Sequence, residues 1–78
     1  MTDLPGLKPR QLLSILQKAG WEIVRQKGSH IQLKHPNKPH HLVTIPYHNK
    51  DLARGTLFSI IKQIGISKND FNDMIKQI

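Results

Sequence analysis

Arg25-Gln26-Lys27-Gly28-Ser29-His30-Ile31-Gln32-Leu33 is the stretch on which the reading of this chain turns. It reads as two short strands joined by a tight turn at Lys27-Gly28, where glycine supplies the positive φ of a two-residue hairpin loop. That turn sets Gln26 opposite Ser29, Arg25 opposite His30 and Val24 opposite Ile31. Directly opposed residues share a face of a sheet. Val24 and Ile31 are therefore expected in a core, with Arg25 and His30 together on the outside. Imidazole exchanges protons near neutral pH more readily than any other side chain, and guanidinium is a good ligand for phosphate. The pair is a candidate site for phosphodiester chemistry. The plain alternative is a histidine and an arginine on a solvated strand face, where both are common.

Outward from the hairpin, the rest of the chain reads as its support. Pro9 suits the first turn of a helix. Leu12, Ile15, Leu16 and Ala19 recur at helical spacing, and Gly20 can close that helix, so a helix is predicted over Pro9–Ala19. The strands are predicted over Trp21–Gln26 and from Ser29 or His30 to Lys34 or His35. His35-Pro36-Asn37-Lys38-Pro39-His40 reads as a loop, because two prolines and an asparagine discourage pairing. A third strand follows over His41–Ile45, with Val43 and Ile45 on one face, and Pro46 ends it. After a connection from Tyr47 to Gly55, Thr56 is the expected cap of a second helix. Leu57, Ile60, Ile61 and Ile64 make its apolar stripe, and Gly65 closes it. Ser67 with Asp70 resembles a capping box before a third stripe at Phe71, Met74, Ile75 and Ile78. Leu4-Pro5-Gly6-Leu7 is an extended or turning lead-in.

The order is α-β-β-β-α(-α). Strands joined by hairpin-length loops favour an antiparallel sheet, and helices with apolar stripes must cover one face of it. The expectation is an α+β fold in which a three-stranded sheet keeps one face open, with Arg25, His30, Gln32 and Lys34 on that face.

A chain of 78 residues is expected to form one domain over 1–78. It buries about 60% of the surface its unfolded form exposes. A site on it should be shallow and suited to a polymer or a protein surface. The formal net charge is +7, with +5 of it in the first 49 residues, the part that contains the hairpin. A small basic domain points to an anionic partner, most often nucleic acid. With no cysteine, disulfide and thiolate chemistry are excluded. No stretch is apolar enough to span a membrane, and the start lacks the features of a signal peptide. A cytoplasmic location is the expectation.

The motifs then narrow the reading. Leu4-Pro5, Gly20-Trp21, Arg25 to His30, Val43-Thr44-Ile45-Pro46-Tyr47-His48, Gly55-Thr56-Leu57 with Ile60, and Gln63-Ile64-Gly65-Ile66-Ser67 occur in that order. Together they resemble the HicA family of type II toxins, small mRNA interferases, over nearly the whole chain. The joint signature is Gly-Ser-His on the second strand, Ile-Pro-x-His after the third, and Gly-Thr-Leu opening a helix. The resemblance implies a double-stranded-RNA-binding-like fold, endoribonuclease activity on mRNA without a cofactor, and neutralisation by a HicB-like antitoxin. The family's catalytic histidine maps onto His30. Its other recurrent histidine maps onto His48, a possible auxiliary group. Arg25, Lys27, Ser29, Gln32 and Lys34 are the candidate RNA- and phosphate-binding residues around His30. The loop from Pro36 to His41 is richer in Pro and His than the family pattern.

Other readings compete. Five histidines suggest a metal, but His35, His40, His41 and His48 lack a companion cysteine and any firm ligand spacing, so no metal ligand is assigned. Ser29 lacks the acid that would orient His30 in a triad and reads as a turn residue. Trp21, a candidate base-stacking ring, reads instead as packing against the first helix, and Tyr47 is open to either reading. In place of a ribonuclease, the same fold would serve as a non-catalytic RNA- or DNA-binding module. A basic face that binds an acidic protein is a further possibility.

Overall fold

A computed structural model describes residues 6–76. The elements are α1 (Pro9–Lys18), β1 (Glu22–Lys27), β2 (His30–His35), β3 (Lys38–Pro46), α2 (Arg54–Ile64) and α3 (Lys68–Lys76). The strands form one antiparallel sheet in the order β1-β2-β3. This is the α+β architecture expected from the sequence. Leu4, Pro5 and Ile78 lie outside the described residues.

The core follows from two periodicities. Ile31 and Leu33 of β2 and Val43 and Ile45 of β3 alternate onto one face and are all buried. Leu12, Ile15 and Leu16 of α1, Leu57, Ile60, Ile61 and Ile64 of α2, and Phe71 of α3 meet them there. Trp21 is also buried, as packing at the helix–strand junction requires. The helices cover β2 and β3, and every residue of β1 is exposed.

The hairpin differs from its expected register. Lys27 pairs with His30, Gln26 with Ile31 and Arg25 with Gln32, so the turn is Gly28-Ser29 and not Lys27-Gly28. Gly28 has φ of 57°, and among the described residues no non-glycine residue has positive φ. A loop with Gly28 in its first central position needs positive φ only there, whereas the Asn-Gly type of turn would demand it of Lys27 as well. The glycine thus selects its own place. Moving the turn by one residue shifts the pairing by two, so Arg25 stays on the face of His30. An irregularity between Ile23 and Arg25 then sets Ile23, in place of Val24, opposite Leu33. Val24 is the residue pushed out: it is 53% exposed and is not a core residue.

Two further expectations change. β3 begins at Lys38, inside the stretch read as a loop. Pro39 lies within an irregularity between the His35–Lys38 and Lys34–Leu42 pairs, where its missing N–H breaks no ladder. The second helix starts at Arg54 after Ala53, so Thr56 is not its cap. Leu52 is buried and its N–H donates to the Leu7 carbonyl at 2.7 Å, which fixes the entry to the helix. Ser67 does act as expected: its hydroxyl accepts from the Asp70 N–H at 3.1 Å.

Candidate functional site

His30 opens β2 directly after the turn. Lys27 stands opposite it on β1 and Pro46 opposite it on β3; in the next outward-facing row, Arg25, Gln32 and Thr44 stand side by side. Residues on these rows face away from Ile31 and Leu33, which are buried, so both rows lie on the open face. They form the floor of a shallow depression of about 610 Å³ lined by Arg25, Lys27, Gly28, Ser29, His30, Gln32 and Thr44. The end of β3 is pinned to the turn by the Tyr47 N–H, which donates to the Ser29 carbonyl at 2.6 Å.

The corrected register changes His30's neighbours without scattering them. Lys27, not Arg25, is its directly opposed partner, and Arg25 is its diagonal neighbour, within reach of a long side chain. The depression therefore holds one imidazole, one ammonium and one guanidinium, with no carboxylate in its lining. Gln32 and Thr44 add uncharged donors and acceptors. Such a surface attracts an anion, and its shallowness admits a strand-like substrate.

Of the residues singled out in the sequence, Arg25, Lys27, Ser29, His30 and Gln32 are thus gathered in one place. Lys34 is not among them. It stands opposite Glu22 and Leu42 and lines a separate depression with Glu22, Val24, His35, Pro36 and Pro39. His48 is also apart, in a depression with Lys8, Arg10, Tyr47 and Asn49, where its Nδ1 accepts from the Lys50 N–H at 3.1 Å. Thr44 was missed, although its place between Val43 and Ile45 already put it on the open face.

The His-rich loop has a structural role. His35 Nδ1 accepts from the Asn37 N–H at 3.0 Å, which leaves the ring proton on Nε2, 3.0 Å from the Ala19 carbonyl it bonds. The same ring stands edge-on to Trp21, with centroids 5.4 Å apart. At the end of α2, His41 Nδ1 donates to the Gln63 carbonyl at 2.9 Å and Lys38 Nζ to the Ile64 carbonyl at 3.1 Å. Unpaired carbonyls at a helix C-terminus favour such donors. Among the described residues, no three His, Asp or Glu side chains stand together as a metal site.

No helix among the described residues is long and apolar enough to cross a membrane. No curated protein gives a significant match to the chain. Residues 9–66, from the start of α1 to just past α2, match the family described as HicA toxin of bacterial toxin-antitoxin. With that match spanning most of its length, the chain belongs to the HicA family of toxins of bacterial toxin–antitoxin systems.

Proposed function

We propose that this chain, folded as one HicA-like domain over residues 1–78, is a cytoplasmic endoribonuclease that cleaves mRNA, with His30 as its catalytic residue. The observation that carries the reading is the meeting of His30 with Lys27 and Arg25 in a carboxylate-free depression on the open face of the sheet.

RNA brings its own nucleophile, the 2′-hydroxyl beside each phosphodiester. His30 takes the 2′-hydroxyl proton as the oxygen attacks phosphorus. The new O2′–P bond forms, the P–O5′ bond breaks, and a 2′,3′-cyclic phosphate and a 5′-hydroxyl result, the leaving oxygen collecting its proton from solvent. A positioned general base of this kind contributes about 10²–10⁴-fold. Lys27, opposite His30, and Arg25, diagonal to it, stabilise the charge that builds on the phosphate oxygens. Ser29 and Gln32 offer polar contacts to the sugar and phosphate. Lys34, further along β2, acts on the flanking chain and not at the reacting phosphate. His48 is an auxiliary group outside the depression. None of these steps requires a metal ion. A HicB-like antitoxin silences the toxin by covering the His30 depression, since only a protein surface blocks so open a site.

Purified wild-type protein should cleave single-stranded RNA in the presence of a chelator and leave 2′-O-methyl RNA intact. His30→Ala should bind the RNA and not cut it. Binding without cleavage by the wild type would favour the non-catalytic module. Negligible RNA affinity at moderate salt would favour a protein-binding surface.

A further inference from the structure

A second basic depression meets the chain at Tyr47, whose N–H bonds the Ser29 carbonyl. It measures about 230 Å³ and is lined by Lys8, Arg10, Tyr47, His48 and Asn49. Ser29 lines the first depression and Tyr47 the second, so the 2.6 Å bond between them joins the two. The cleavage step uses none of these five residues as a reacting group.

The local sequence explains why they are available. Pro9 is buried at the start of α1, and Lys8 and Arg10 flank it. Pro46 ends β3, and the Tyr47 N–H is satisfied by Ser29, so the chain leaves the sheet without an orphaned donor. Tyr47 as a residue is left 40% exposed. The result is an outward aromatic ring beside two cations, with an amide and an imidazole and no carboxylate in the lining. Cations that follow a backbone and rings on which bases stack are the two components of single-strand nucleic-acid grooves.

We propose that this depression is a second nucleotide subsite: RNA leaving the His30 depression crosses the Ser29–Tyr47 bond, stacks a base on Tyr47 and sets neighbouring phosphates on Lys8 and Arg10. The assignment rests on reading the His30 depression as an RNA site. An acidic protein surface would also meet Lys8 and Arg10. The outward ring and the junction with the His30 depression favour RNA.

The test uses the full chain and uncleavable 2′-O-methyl RNA, followed by fluorescence anisotropy across a range of salt. One oligonucleotide is a dinucleotide, whose single phosphate can occupy only one depression at a time, and another is about twelve nucleotides long. Lys8→Ala combined with Arg10→Ala should weaken the long oligonucleotide about tenfold and lower its salt slope by about 1.4, the loss of two single-strand phosphate contacts. Tyr47→Leu should weaken it about fivefold or more and leave the slope alone. Tyr47→Phe, which keeps the ring, should bind as wild type. The short oligonucleotide should respond to none of these changes. Unchanged long-oligonucleotide affinity and slope would overturn the proposal. So would equal losses for both lengths, or intact RNA binding with loss of the antitoxin. If His30→Ala still cleaves natural RNA while the length dependence persists, the proposed reaction falls and the subsite stands.

Discussion

Replacing Gly20 with alanine tests how the His-rich loop stabilises the fold. Gly20 has φ of 99°, which costs a non-glycine residue about 1–2 kcal/mol. An alanine Cβ there would sit 2.7 Å from His35 Nε2 and 3.3 Å from its Cδ2. The ring must swing away. It then loses the bond to the Ala19 carbonyl, worth about 1 kcal/mol, and its edge contact with Trp21, worth about 0.5–1.5 kcal/mol. Gly20→Ala should therefore cost about 3–4 kcal/mol. His35→Ala should cost about 1.5–2.5 kcal/mol through the lost bond and ring contact alone. With His35 already removed, only the backbone strain is left, and adding Gly20→Ala should cost about 1–2 kcal/mol. The double-mutant cycle should thus show a coupling of about 1.5–2.5 kcal/mol. Urea unfolding followed by the fluorescence of Trp21, the chain's single tryptophan, reads all four proteins. Additivity within about 0.5 kcal/mol would refute the argument that the two residues act through one contact.

Three more expectations follow from the same geometry. Leu33→Ala, at the centre of the core with no exposed surface, should cost about 2–5 kcal/mol in urea unfolding. Gly28→Ala meets no atom within 4 Å but sits at φ of 57°, so it should cost about 1–2 kcal/mol of stability from backbone strain alone. EDTA should leave the unfolding temperature unchanged, because His35 and His41 hold helix-end carbonyls. A fall of several degrees, checked by calorimetry, would put a metal back in that loop.

What the sequence revealed and what it hid divide along the range of the interactions. The stripe Leu57, Ile60, Ile61, Ile64 and the alternation of Ile31 and Leu33 declare a helix and a strand by local period, and all six are buried. The candidate site was legible for the same reason: His30 and Gln32 lie opposite in face to Ile31 and Leu33 whatever the register. Which residue faces His30 was not legible. It depends on whether Gly28 takes the first or second place in the turn; the exposure of Val24 depends in addition on an irregularity that leaves no mark in the sequence. The helix-end roles of His35 and His41 span 16 and 22 residues, so local spacing made them resemble possible metal ligands. Pro39 spoke for a loop and stands in a strand, because it falls where the β2–β3 ladder is already interrupted.

The central claim is that His30 cuts RNA, and induced expression tests it most directly. Wild-type chain and His30→Ala are expressed to equal levels in cells without the antitoxin, and total mRNA is followed over time. The account predicts growth arrest and mRNA loss with the wild type, and normal growth with intact mRNA for His30→Ala. Loss of mRNA with both proteins would contradict the assignment of His30, and intact mRNA with both would contradict the ribonuclease itself.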